Sequence, residues 1–226
     1  MIITKFILSA SGNEITFLTD EGNYNVSRSD FFKIFKISNS DIQEDRDEFF
    51  GGIETPFYAS EDERESILSA CEKLKAVKYA SYLLSIGDKS ERKLYFKLRS
   101  KFDEDSSQKA IELLKKQSLV CDEKLCARKL EIMANEKLYG PARLKNELYA
   151  KGFNLDVIEK ALKKNEVDFE ENLEKLFCKV VKRIVPENRE QLKKISDKLL
   201  RYGYSYDDIR NVIENSGIYD NLHDNF

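Results

Sequence analysis

The chain repeats itself, and that property narrows its fold more than any local pattern does. When LYAKGFNLDVIEKALKK (148–164) is set over LLRYGYSYDDIRNVIEN (199–215), an offset of 51 residues aligns Gly152 with Gly203, Phe153 with Tyr204, Asp156 with Asp207, Ile158 with Ile209 and Leu162 with Ile213. Upstream, Leu144 and Leu148 meet Ile195 and Leu199. A weaker copy begins at Lys93, where Leu94, Leu98, Phe102, Ala110 and Ile111 fall into register. There Lys101 stands at the glycine position and Ser107 at an apolar one. A period near 50 residues belongs to helical repeat arrays, in which each unit leaves a face for its neighbour to cover.

Each copy reads as three helices: a long one, a shorter one ending at the glycine or its counterpart, and a third. The long helices are expected near 64–86, 122–138 and 169–185. Gly152 and Gly203 stand where a helix stops and a left-handed residue costs least without a Cβ. Asn154 and Ser205 are placed to cap the following helix, with Asp156 and Asp207 in its first turn, where the helix dipole favours a carboxylate. Pro141, after Gly140, and Pro186 suit a first helical position, where a missing N–H is not needed.

The first 37 residues differ in character. IITKFILSA and EITFLT are β-branched and aromatic runs separated by Ser11-Gly12-Asn13, and a second turn at 20–23 leads into YNVS. They predict a meander of two or three strands. RSDFFKIFKI then reads as a short amphipathic helix capped by Ser27 or Ser29. Residues 38–60, acidic and containing Gly51-Gly52 and Pro56, read as a linker, and Ser60 with Glu63 has capping-box spacing. The expected fold is mainly α: a tandem array of three three-helix repeats, built as helix-turn-helix-like units, preceded by a small N-terminal β-meander. The expected segments are 1–60 (meander, short helix and acidic linker), 61–118 (first repeat), 119–167 (second repeat) and 168–226 (third repeat and tail).

Charge is distributed unevenly. The chain of 226 residues carries a formal −3, yet residues 1–70 hold 6 Lys/Arg against 14 Asp/Glu, residues 71–166 hold 22 against 15, and residues 167–226 hold 10 against 12. The basic centre includes Lys93, Lys97, Arg99, Lys101, Arg128, Lys129, Lys137, Arg143, Lys145 and Lys151, with Tyr95, Tyr139 and Tyr149 interleaved. Such a pattern fits a polyanion or an acidic protein surface, and it equally fits a solvated helical face whose tyrosines pack and whose lysines keep the chain soluble.

Other chemistry is sparse. His223, the single histidine, lies in a polar tail, and neither G-x-x-x-x-G-K-[ST] nor G-x-G-x-x-G occurs. No catalytic residue, cofactor or bound metal is therefore expected, and the chain does not read as an enzyme. Asp103-Glu104-Asp105 lies at a predicted helix start, where carboxylates are ordinary. Cys71, Cys121, Cys126 and Cys178 form no C-x-x-C pair, which fits reduced thiols in the cytoplasm. No apolar stretch reaches membrane-spanning length, and the N-terminus lacks the pattern of a signal peptide, so no membrane partner is expected.

The run CDEKLCARKLEIMANEKLYGPARLKNELYAKGFNLDVIEKAL resembles the signature repeat of the RecX regulatory proteins. The matching residues are Lys137, Tyr139, Gly140, Pro141, Arg143, Leu144, Leu148, Lys151, Gly152, Phe153, Ile158, Ala161 and Leu162, with Gly203 and Tyr204 repeating the Gly-aromatic pair. YASYLLSIGDKSERKLYFKL (79–98) resembles the preceding repeat of that family, and the meander resembles the extension of its longer members. Lys101 in place of glycine and Lys93 at an acidic position are departures. The resemblance implies a non-enzymatic, monomeric modulator of the RecA recombinase that binds the RecA–single-stranded DNA filament. It further implies contact with the filament's protein surface, its exposed single-stranded DNA or both, inhibition of ATPase, strand-exchange and coprotease activities, and a setting in DNA repair, homologous recombination and the SOS response. Lys93, Lys97, Arg99, Lys101, Arg128, Lys129, Lys137, Tyr139, Arg143, Lys145 and Lys151 would make the contacts. The alternative is a direct DNA-binding module of helix-turn-helix type, weakened by Asp156, Glu159, Asp207 and Asp208 near the starts of the third helices.

Overall fold

A computed structural model describes residues 1–37, 53–184, 186 and 188–217. The chain forms two compact units, one made of Met1–Lys89 with Leu94–Val120, the other of Ser90–Lys93 with the chain from Cys121 onward.

In the first unit three strands, β1 (Ile2–Leu8), β2 (Glu14–Thr19) and β3 (Gly22–Ser27), precede helix α1 (Arg28–Ile34). A two-residue strand, β4 (Phe57–Tyr58), completes an antiparallel sheet of order β3-β2-β1-β4 by pairing with Ile2 and Ile3. β4 corrects the expected linker 38–60: two residues are too short to show strand periodicity, and only the partner strand defines them. The remainder of that linker up to residue 52, Gly51-Gly52 included, lies outside the described residues, as does His223. Alternation puts Ile3, Ile15, Phe17 and Val26 inside, where Phe6, Phe17 and Phe31 meet edge to face or stacked with ring centres 5.3–5.9 Å apart. Ser27 caps α1 by accepting from the Asp30 N–H, and the Asp30 carboxylate, 6% exposed, pairs with Lys73 at 2.5 Å.

Helix α2 (Glu61–Ile86) serves two cores. Its first half places Ile67, Ala70 and Cys71 against the sheet, while Ala76, Ala80 and Leu83 join Leu94, Leu98, Ala110, Ile111 and Leu114 from α3 (Glu91–Arg99) and α4 (Glu104–Lys116). The Ser60–Glu63 capping box forms as expected, and Ser60 lets α2 start at Glu61 rather than near 64. Ser107 is buried at its apolar position because its hydroxyl donates to the Asp103 carbonyl at 2.7 Å.

The second unit continues with α5 (Asp122–Lys137), α6 (Pro141–Ala150) and α7 (Leu155–Lys164), then α8 (Phe169–Val181), α9 (Arg189–Arg201) and α10 (Tyr206–Asn215). Each triplet closes its own core. Leu130, Leu144, Leu148, Phe153 and Ile158 fill one; Phe177, Ile195, Leu199, Tyr204 and Ile209 fill the other. Gly152 and Gly203 adopt φ of +89° and +94°, as the repeat predicts. Three expectations change. Asn154 precedes α7 but its side chain makes no capping bond, whereas Ser205 accepts from the Asp208 N–H. Pro186 does not open α9; Asn188 caps that helix from a position nearer to it. The third long helix ends at Val181 rather than near 185.

Tyr204 takes the place of Phe153 but buries a hydroxyl that has no hydrogen-bond partner among the described residues, and burial pushes its pKa up to about 12. Tyr204→Phe is expected to leave stability unchanged or raise it by about 1 kcal/mol, because a buried unsatisfied polar group is removed. The raised pKa means the folded state holds this proton more tightly than the unfolded chain. Wild-type stability therefore falls between pH 10 and 12 through this group, and the phenylalanine variant loses that part of the decline. Urea titrations at pH 7 and pH 11 measure both effects.

Candidate partner-binding surface

The first N–H groups of a helix lack partners within it. Gly140, ahead of α6, has no side chain to offer, and Pro141 has no N–H. The amides are satisfied from the end of α9. Gly140 N–H donates to the Tyr202 carbonyl at 2.8 Å and Ala142 N–H to the Gly203 carbonyl at 3.1 Å. The positive end of α6 thus abuts the negative end of α9. Glycine is required on both sides, since a Cβ on Gly140 would lie 2.6 Å from the Gly203 carbonyl, and one on Gly203 would overlap the backbone of Arg143.

Side chains reinforce this clasp. The Arg143 guanidinium lies 4.0 Å from the centre of the Tyr139 ring and 5.5 Å from that of Tyr202, the two rings meeting edge to face at 5.9 Å. One of its N–H groups donates to the Arg201 carbonyl at 3.1 Å, another cation–carbonyl contact at a helix C-terminus. Leu138 takes φ of +56°, uncommon for leucine, and its side chain is buried in the core of α8–α10. Asn172 of α8 donates to the Ala134 carbonyl of α5 at 3.3 Å.

The same device recurs around Gly152. Ser90, just ahead of α3, donates its hydroxyl to the Lys151 carbonyl at 2.7 Å, and the Glu91 N–H donates to the Asp122 carboxylate at 2.9 Å. A Cβ on Gly152 would lie 2.7 Å from that hydroxyl. In both cases the start of a middle helix meets the glycine turn of the following repeat. Among the described residues no helical repeat precedes the first, and Lys101 at its turn has no positive φ and extends over the Tyr79 ring at 4.2 Å.

The residues expected to bind a partner therefore divide. Tyr139 and Arg143 are engaged in the clasp, and Lys137 lies 5.7 Å from the Tyr139 ring centre. Lys145 pairs with Glu159 at 2.8 Å and holds that carboxyl below its usual range. In the first unit Arg99 donates to the Phe102 carbonyl at 3.0 Å and stands 4.0 Å from Glu104. Asp103 is the cap of α4, its carboxyl kept acidic chiefly by the Ser106 N–H. Lys93 and Lys97 are exposed on α3, Arg128 is exposed and Lys129 half-buried on α5, and Lys151 is half-buried at the Gly152 turn. Lys93, Lys97, Lys129 and Lys151 make no ion pair among the described residues.

A surplus of cations lies on the middle helix of each repeat. Lys/Arg outnumber Asp/Glu by four to one in α3, two to one in α6 and five to two in α9. First helices are balanced or acidic: four to five in α2, four to four in α5 and two to three in α8. Arg189, Lys193, Lys194, Lys198 and Arg201 of α9 belong with the basic set and were masked by the acidic residues around them in sequence.

No protein-family model matches the chain. A regulatory protein RecX of Clostridioides difficile is 35% identical over 156 residues, which span 68% of this chain and 74% of that protein. The chain belongs to the RecX family. A RecX of Clostridium botulinum is 33% identical over 133 residues, 56% of this chain and 61% of the relative, and one of Haemophilus ducreyi is 37% identical over 108 residues, 47% of this chain and 71% of the relative. A crystal structure of a regulatory protein RecX superposes with a TM-score of 0.73 at 20% identity, over 95% of this chain and all of that one, and so shares its fold. RecX from Lactobacillus salivarius superposes with a TM-score of 0.59 at 27% identity, over 64% of this chain and 96% of that one. The mainly helical RecX fold with a small N-terminal sheet is thus the fold of this chain.

The two glycine turns predict graded sensitivity. Gly203→Ala is expected to cost about 3 kcal/mol or more, combining a left-handed backbone with overlap against rigid main chain. Gly152→Ala is expected to cost about 1–2 kcal/mol, because a serine hydroxyl can rotate away. Urea unfolding followed by circular dichroism ranks them, and equal costs would contradict the backbone clasp.

Proposed function

We propose that this chain binds the filament formed by a RecA recombinase on single-stranded DNA and lowers its ATPase, strand-exchange and coprotease activities. Membership of a family whose members are called regulatory proteins supports regulation as the role. The observation that carries the binding reading is the surplus of cations on α3, α6 and α9, the one helix of each repeat that is consistently basic. A basic helix in each repeat suits a partner whose negative charge also repeats, whether filament carboxylates or DNA phosphates. Lys93, Lys97, Lys129 and Lys151 are the proposed first contacts because they carry no ion pair that binding would have to break. Arg99, Lys101, Arg128, Lys137 and Lys145 add to the field around them, while Tyr139 and Arg143 position α6. The chain acts as a monomer in the cytoplasm, by binding rather than by catalysis, and its working parts are residues 61–118, 119–167 and 168–226 behind an N-terminal segment of residues 1–60.

Titrating the protein into the host RecA hydrolysing ATP on single-stranded DNA tests this reading. Loss of hydrolysis well below one copy per recombinase protomer is expected, and unchanged hydrolysis at saturating protein would overturn it. Lys97→Glu reverses an exposed charge on α3 that makes no ion pair among the described residues, and is expected to weaken filament binding by about threefold or more at low salt, with a shallower salt dependence. Strong preference for one duplex sequence would instead favour a helix-turn-helix DNA reader.

A further inference from the structure

The second unit exposes large apolar side chains at equivalent places in two repeats. On either side of the Gly152 turn stand Tyr149, 50% exposed, and Leu155, 47% exposed; on either side of the Gly203 turn stand Leu200, 39% exposed, and Tyr206, 68% exposed. The 51-residue offset aligns Tyr149 with Leu200 and Leu155 with Tyr206, so each turn carries one tyrosine and one leucine in opposite order. Neither pair is needed to close a core, since Phe153 and Tyr204 already fill the inner side of the turns. The first repeat holds a charged pair at the same positions. There they are Arg99 and Glu104, whose charged groups lie 4.0 Å apart. Repeated exposure of paired apolar residues where a polar pair suffices marks a contact surface.

The surroundings specify the partner. Next to the first pair, the Arg92 guanidinium lies 6.0 Å from the Tyr149 ring centre and Lys151 stands in the turn, while Lys145, one helical turn before Tyr149, pairs with Glu159. Next to the second, α9 holds five Lys/Arg against two Asp/Glu. Asp156, Asp207 and Asp208 adjoin the pairs but occupy first helical turns, where the dipole offsets their charge. The complementary surface is therefore acidic around an apolar socket that accepts one tyrosine and one leucine. Because the pair occurs twice, the fitting partner presents its socket twice, as neighbouring identical subunits of a polymer do.

We infer that Tyr149/Leu155 and Leu200/Tyr206 are two equivalent anchors, each docking into the same acidic-rimmed apolar socket on a different subunit of the recombinase filament. The inference rests on the filament-binding reading above. Two modest anchors on one body act jointly, since binding of the first raises the effective concentration of the second.

Fluorescence anisotropy of the full chain, labelled at its N-terminus, separates the possibilities on preassembled RecA filaments and on the same single-stranded oligonucleotide alone. Sedimentation equilibrium of the chain alone accompanies it. Tyr149→Ser with Leu155→Ser, and Leu200→Ser with Tyr206→Ser, are each expected to weaken filament binding by about tenfold, and all four together by about a hundredfold. Tyr149→Leu with Leu155→Tyr, which copies the order of the third repeat, is expected to bind within about threefold of wild type. Thermal melts check each variant, and testing the pairs separately means that one misfolded variant leaves the other decisive. Wild-type affinity in the quadruple variant would overturn the anchors while leaving filament binding intact. Absence of wild-type binding to filaments would remove the functional reading and the anchors with it. An equal loss on naked oligonucleotide would mean base stacking, and conversion of a wild-type dimer to monomer would mean self-association; either overturns the inference.

Discussion

Two hydrogen bonds, from Gly140 N–H to the Tyr202 carbonyl and from Ala142 N–H to the Gly203 carbonyl, govern much of the second unit. They close the open end of α6 with the open end of α9, so neither helix leaves those polar groups buried and unpaired. The demand for close backbone approach fixes glycine at 140 and 203, and the aligned dipoles then favour a cation beside the α9 carbonyls. Arg143 supplies it while its guanidinium packs against Tyr139 and Tyr202. Leu138, held left-handed, buries its own side chain in the next core. Two backbone hydrogen bonds thus tie together Leu138, Tyr139, Gly140, Ala142 and Arg143.

The clasp also separates residues that look alike in sequence. Arg143 and Lys97 are both basic residues on a middle helix, yet one is part of the scaffold and the other is exposed without an ion pair among the described residues. A charge reversal at Arg143 would mix loss of binding with loss of fold. Lys97 avoids that ambiguity, whereas the Lys93 side chain lies against the Gly152 turn as Arg143 lies against Gly203.

The repeat made the helical triplets, the glycine turns and most core positions legible, because apolar spacing and a left-handed glycine leave marks in a single sequence. The tightness of Gly140 against Gly203 was not legible, since a Gly-Pro pair is already explained as an ordinary helix start. Lys101 read as a defect in the first repeat; the structure shows that its turn, without a positive φ, has no need of glycine. β4 escaped notice because its pairing lies in β1. The cations of α9 were hidden by summation over an acidic third of the chain, and the exposed Leu200 and Tyr206 by the assumption that apolar residues in helices face inward.

Hydrogen exchange of individual amides tests the clasp most directly. In a free helix start the Gly140 and Ala142 amides would exchange with solvent almost as fast as in an open loop. Here they are expected to be protected to the same degree as core amides of α6, and Arg143→Ala is expected to lower that protection while α2–α4 are unaffected. Rapid exchange of Gly140 and Ala142 in a protein whose α6 core is protected would contradict the account.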